Sequence, residues 1–375
     1  MDDTRISEVR WYAVAVPLGR AIADSQATLS HWTVPVVEVT TNEGLTGTGI
    51  GGIHVGAEVL ATVLENHYAP RLINQDSAYI RAVWHDLYTS PIQWIGRAGV
   101  THLALGLVDI ALWDLAAQRA RMPLWQLLGG HHRALQTYNT DGGWLHLNDD
   151  ELVANLKQVV AQGWSAVKIK VGSPDWRDDV RRLTTARTAI GPEIELSCDA
   201  NKVWDLHTAQ RILPTLEELD IAWLEEPLHP DDVAGHAKLQ SLTRVPIACG
   251  ESLYSRQAFR DFIAADALRI AQLDVTRLGG ITEYLEVAAY ARTSGVPVIP
   301  HAGDMMVVHQ HLAASSIATT GRLEYIPWTL AMYDTPVQID GTTVLLPHEP
   351  GASTRVSRSA RENWLVPGTA GVLHA

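Results

Sequence analysis

The chain reads as an α/β protein, a parallel TIM-type barrel preceded by a small N-terminal α+β domain. Two observations carry the barrel. From Leu135 onward, apolar runs of four to six residues alternate eight times with helical segments. Such repetition, with no dinucleotide fingerprint at its head, points to a closed barrel rather than a doubly wound sheet. Most of those runs also end on an ionisable or polar residue, and the C-terminal strand ends are where barrel enzymes place their chemistry. A third observation marks the front domain: before residue 130, strands come first and helices follow, the pattern of an α+β unit.

In the front domain the alternation predicts strands at 8–17, 34–41 and 45–51, with a turn at Asn42-Glu43-Gly44. The run Gly47-Thr48-Gly49-Ile50-Gly51-Gly52 spells GxGxxG. No βαβ unit follows it, so a dinucleotide site is rejected and a mobile glycine loop is expected. Helical periodicity runs from about 54 to 126, and Met122-Pro123 and Gly129-Gly130 punctuate its end. Barrel strands are predicted at 136–140, 166–170, 195–199, 222–226, 246–250, 270–274, 297–301 and 322–325, with helices at 149–162, 176–190, 206–219 and 281–294 among those between them. The expected division is a capping domain at 1–130, a barrel at 131–345 and a segment at 346–375 that packs back on the cap.

The 375 residues are 46% hydrophobic and 19% charged, ordinary values for a globular protein. A net charge of −13 argues against nucleic acid or an anionic membrane as partner. The charged start, MDDTRISEVR, lacks a signal-peptide core, and the most apolar helical run, 103–117, carries Asp109 and Asp114, so neither export nor a membrane span is expected. Cys198 and Cys249 are far apart and form no CxxC, which suits a reducing cytoplasm.

The chemistry centres on SAVKIKVG. Lys168 and Lys170 share one face of an apolar strand, and like charges so placed call for carboxylates, a metal site or an anionic substrate. The later strand ends supply Asp199, with Asn201 just beyond, then Glu225, Glu251, Asp274, His301 and Glu324, the six ionisable groups spaced by 23 to 27 residues. Asp199, Glu225 and Glu251 on three neighbouring strands would converge as hard oxygen ligands, a set that selects Mg²⁺. Strand alternation favours Glu225 over Glu226. Zinc is disfavoured, because His301 is expected across the barrel from the acids. Asp274 and His301, on adjacent strands, form a carboxylate–imidazole pair suited to proton transfer. Lys170, beside Lys168 and a dication, is expected to have a lowered pKa and to serve as a base. His309 and His311, two apart on a helix, are read as structural.

KIK, CDAN, LEEP, GE, an aspartate before GG, and PH resemble the enolase superfamily, mandelate racemase subgroup, over nearly the whole chain. The resemblance implies a modified (β/α)7β8 barrel under an α+β cap, with Mg²⁺ on Asp199, Glu225 and Glu251. It further implies that Lys170 and the Asp274–His301 dyad are the acid and base groups, that Lys168 neutralises the substrate carboxylate, that Asn201 contacts a substrate hydroxyl, and that Glu324 hydrogen-bonds the carboxylate oxygen. Gln272 and Asp274 stand where muconate-lactonising and dipeptide-epimerase relatives carry a sixth-strand lysine. Within the subgroup, YNTDGGWLH, VRRLTTARTAIG, DVAGHAKL and PIACGESLYS look like acid-sugar dehydratases of the L-talarate/galactarate kind. That likeness implies a small sugar-acid substrate, an aldarate or aldonate, dehydrated to a 2-keto-3-deoxy acid, with racemisation as the rival. It also implies a homo-oligomer, dimer or octamer. The capping loop at 17–32 departs from that kind and is less basic than a diacid would need. Arg20 and His54 are the candidate substrate contacts from the cap, with Arg97 as another cation; Trp32, Trp94 and His54 suit packing of cap on barrel equally well.

Overall fold

Alternating buried and half-exposed positions set up the cap as an antiparallel sheet in the order β13-β1-β2-β3, in the computed structural model that describes residues 3–53, 55–131, 134–301, 306–315 and 322–375. Its strands are β1 (Ile6–Ala23), β2 (Thr28–Thr41), β3 (Thr46–Ile50) and the C-terminal β13 (Gly371–His374). β1 and β2 pair along most of their length and run on past the sheet, so their joining turn reaches over the barrel. The C-terminal segment returns to the cap: β13 pairs with β1, and the Val366 amide donates to the Ala13 carbonyl at 2.8 Å.

GxGxxG forms no loop at its head. Gly47 and Gly49 lie within β3, where a Cβ would run into the Ala111 and Leu107 carbonyls of the helix Val100–Arg119. The expected mobile loop is therefore a close-packing surface: glycine is needed so that the helix backbone can lie directly on the strand. That helix is long and apolar enough to cross a membrane, but it is buried between the cap sheet and the barrel. Asp109 and Asp114 satisfy neighbouring backbone amides from it: Asp114 takes those of Thr48 and Ala352, and Asp109 takes the Thr282 amide at 2.8 Å and its hydroxyl at 2.6 Å.

Burial pushes the Asp109 carboxyl from 3.8 up to about 7, against the pull of the Thr282 bonds. An acid raised in the folded state contributes stability fully below its unfolded value and loses that contribution as pH climbs through the folded one. Asp109→Asn, neutral throughout, should therefore lose about 2 kcal/mol less stability than the parent between pH 5 and pH 8. Denaturant unfolding at the two pH values measures this, and equal losses would contradict it.

The barrel runs β4 (Ala134–Asn139), β5 (Ala166–Lys170), β6 (Glu195–Asp199), β7 (Ile221–Glu225), β8 (Ile247–Cys249), β9 (Ile270–Ala271), with β10 (Arg322–Tyr325) pairing back to β4 in parallel. The seventh position, expected as a strand at 297–301, is reduced to a bridge between Ala271 and Val298. Its hydrogen bonds continue all the same, with the Ile299 and His301 amides donating to the Ala271 and Leu273 carbonyls. Helices follow the first seven positions, and the first five of them start on side-chain caps: Asn148 with Glu151, then Asp175, Asp205, Asp232 and Ser255. After β10 the chain instead forms a hairpin, β11 (Gln338–Asp340) and β12 (Thr343–Leu345), laid antiparallel on β4. This is a (β/α)7β8 barrel under an α+β cap.

Candidate active site

A cavity of about 370 Å³ opens where the cap meets the C-terminal strand ends. β5 is buried at every residue, so Lys168 and Lys170 both project into the barrel. Lys170 and Trp144 are held by Arg182, whose buried guanidinium donates to the carbonyls of Lys170 at 2.9 Å and Trp144 at 2.6 Å. Lys170, Asn201, Glu251, His301 and Glu324 line the cavity. Lys168, Asp199, Glu225 and Asp274 lie buried around them.

Each acid is bonded to a base. Lys170 Nζ lies 2.5 Å from Asp199 Oδ2. Lys168 Nζ reaches Glu225 at 2.7 Å and Glu324 at 2.7 Å, while Gln272 donates to Glu225 at 2.7 Å. His301 bridges two carboxylates, Nδ1 to Asp274 at 2.9 Å and Nε2 to Glu251 at 2.5 Å. Asp274 is fixed in turn by the Thr276 amide and hydroxyl at 2.8 and 2.6 Å. His301 therefore does not stand across the barrel from the acids: only β9 separates its position from β8, and the ring spans that gap.

The ionisation of these groups follows from burial and pairing. Burial works against charge on Lys170, yet Asp199 holds the ammonium above its ordinary value. The lowering expected from the sequence counted a dication beside Lys170; here the Asp199 carboxylate faces the ammonium directly and outweighs Lys168. His301 is likewise held well above its usual range by Glu251 and Asp274, against burial. Burial raises Glu225 to about 7, with Lys168 opposing the rise, whereas Lys168 and His301 overcome burial to hold Glu324 down to about 2.

Glu226, set aside by strand alternation, is also buried, because a φ of +38° just past β7 breaks the alternation. Burial pushes its carboxyl up, and the neighbouring charges of Glu251 and Asp199 push it further. Among the described residues no three acids converge at ligand distances as placed. The donor chemistry nevertheless fits a small hard cation: Asp199, Glu225, Glu226 and Glu251 offer oxygen only, and the buried Oε2 of Glu226 and Oδ1 of Asn201 have no hydrogen-bond partner.

The cap candidates fare differently. Arg20 pairs with the Asp141 carboxylate at 2.9 Å and donates to its carbonyl at 3.0 Å, outside the cavity. It is corrected from a substrate contact to a partner of Asp141, the nearest anion to a half-exposed guanidinium. His54 lies outside the described residues. Arg97 lines a separate small void beside His102. Trp32 lines the cavity, and Trp94 is exposed rather than packed. His309 and His311 are buried and accept the Val275 and Trp125 amides at 3.1 Å each. Sequence reading missed Lys202 and Arg277, which line the cavity, along with Trp144 and Trp328. Lys202 directly follows Asn201, and adjacency to that motif was the one available signal.

Comparison with known proteins agrees with this geometry. Residues 6–129 match the mandelate racemase / muconate lactonizing enzyme N-terminal domain, and residues 151–360 match the enolase C-terminal domain-like family. An L-talarate/galactarate dehydratase of Salmonella typhimurium is 32% identical, with 95% of this chain and 90% of that protein covered. A 3,6-anhydro-alpha-L-galactonate cycloisomerase of Streptomyces coelicolor is 31% identical, covering 92% and 95%. The crystal structure of L-talarate dehydratase from Polaromonas, complexed with Mg and L-glucarate, superposes with a TM-score of 0.88 at 32% identity over 99% of each chain. Acids and bases ringing one barrel mouth beneath a cap, on a sequence that these two domains match over 6–129 and 151–360, place the chain in the enolase superfamily, within the mandelate racemase / muconate lactonizing enzyme group.

Proposed function

We propose that the protein is a Mg²⁺-dependent dehydratase of a small sugar acid, forming a 2-keto-3-deoxy acid by removal of the proton α to the carboxylate. The observation that carries this reading is the pair of proton-transfer groups, Lys170 and the Asp274–His301 dyad, facing one cavity from different walls with Lys168 and Glu324 beside them. The dehydratases among its relatives support it. Asp199, Glu225 and Glu251 are the residues that would hold Mg²⁺, which supplies polarisation of the substrate carboxylate.

The rest of the chemistry belongs to side chains of this chain. Once Lys170 parts from Asp199, its ammonium releases a proton to solvent, and the neutral amine takes the C2 proton. Negative charge then grows on the substrate carboxylate, where the Lys168 ammonium meets it, held in place by Glu225 and Glu324. His301, kept protonated by its two carboxylates, gives a proton to the C3 hydroxyl, which departs as water. The enol so formed tautomerises to the 2-keto acid. Asn201 lines the cavity, and its unpartnered Oδ1 would accept a hydrogen bond from a substrate hydroxyl.

The same two groups would also serve a racemase, which returns the proton to C2 and expels nothing. A panel of sugar acids incubated in D₂O with Mg²⁺ separates the readings. Dehydration predicts 2-keto acid accumulating at least as fast as deuterium enters C2 of recovered substrate. Exchange or epimerisation without keto acid would replace this reading with racemisation.

A further inference from the structure

Three indoles form a continuous wall outward from the candidate base. Lys170 Nζ lies 5.5 Å from the Trp144 ring, Trp144 lies 4.8 Å from Trp328, and Trp328 lies 5.2 Å from Trp32 of the cap. All three line the cavity. Asp141 orients two of them, accepting from Trp144 Nε1 at 3.2 Å and Trp328 Nε1 at 3.3 Å, while Arg20 holds Asp141 from outside. The N–H groups thus point to Asp141.

Around this wall the cap adds Ile22, Leu29, Ile53 and Val55. Among the described cap residues at the cavity, none is cationic, and the one charged side chain is an acid, Asp24. Its Oδ1 is held by the Gln26 and Ala27 amides at 2.7 and 2.9 Å, so the carboxylate stays at the rim. The two additional cations belong to the barrel and are already engaged near the reacting groups. Lys202 Nζ donates to Ser252 at 3.0 Å and lies 3.8 Å from Glu226; Arg277 lies 3.9 Å from Asp274 and donates to the Gly52 carbonyl at 3.3 Å.

A second carboxylate directed along this path would give up its water for indole and aliphatic surface next to Asp24, with no described cap cation to receive it. An uncharged carbon chain would instead lay its C–H groups on the indoles. We infer that the substrate carries a single carboxylate, an aldonate or a deoxy or anhydro aldonate, whose neutral distal half lies against the Trp144–Trp328–Trp32 wall. This rests on the sugar-acid dehydratase reading above and narrows its substrate class.

The test uses the Mg²⁺-loaded full chain and pairs of hexonic and hexaric acids that share their C2–C5 configuration. Both 2-keto acid formation and calorimetric binding are followed. The expected result is that the preferred aldonate exceeds its matched aldarate by about tenfold or more in kcat/KM and in affinity. Asp24→Asn, which keeps Oδ1 for the turn, should improve the aldarate and narrow that ratio by about threefold or more. Trp32→Phe should raise KM for the aldonate more than it lowers kcat. Aldarates dehydrated as well as or better than their partners would overturn this inference and leave the dehydratase reading standing. If no compound yields keto acid or C2 exchange, the dehydratase reading falls, and the inference falls with it unless aldonates alone bind.

Discussion

Lys170→Ala should lower kcat for 2-keto acid formation by about three decades, the middle of the range for loss of one positioned proton-transfer group. The residue lines the cavity, its Nζ faces Asp199 at 2.5 Å, and its backbone carbonyl is held by Arg182 behind β5. A methyl group there can neither take nor return a proton, and no neighbouring base on that wall can replace it, since Lys168 is committed to Glu225 and Glu324. The change also removes a cation next to Asp199, so Mg²⁺ affinity should stay level or tighten. His301→Asn should cost a similar factor from the other wall. Steady-state rates with calorimetric Mg²⁺ titration on the same samples check both variants. Dehydration within tenfold of the parent after either change would break the two-group scheme.

The second large effect is on the metal. Glu251→Gln should weaken Mg²⁺ binding by about a hundredfold, because a hard dication loses an anionic oxygen and keeps only a weaker amide one. Glu251 is half-buried at the cavity wall and held well below its ordinary range by His301 and Lys202 against the cost of desolvation, so it is ionised across the working pH. The same substitution takes one of two carboxylates from His301. A fall in kcat at saturating Mg²⁺ would therefore report on the imidazole, whereas the fall in Mg²⁺ affinity reports on the metal. Unchanged affinity would remove Glu251 from the ligand set.

Much of the architecture was legible in the chain itself. The repeat spacing and the polar residue closing each apolar run set the barrel, and the period of two along a strand sent Lys168 and Lys170 inward together. The α+β front unit was equally visible from its change of periodicity. The pairing of the charges was not. His301 reaches Glu251, Lys168 takes Glu225 and Glu324, and Lys170 takes Asp199, contacts made between strands 26 residues or more apart in sequence. Strand alternation also gave no sign that Glu226 is buried: at positive φ its backbone bonds to Ala248 and Lys202 at the neighbouring strand ends.

By itself the sequence determined the order of strands and helices and which titratable groups stand at the strand ends, because those depend on a residue and its near neighbours. Tertiary structure alone decided what those groups touch. It converted Gly47 and Gly49 from a supposed loop into a helix-packing surface, turned Arg20 away from the cavity onto Asp141, and joined Trp32, Trp144 and Trp328 into one wall. Such contacts arise only when the barrel closes and the cap settles over it, since they join residues that share no local period and meet by backbone curvature and side-chain reach.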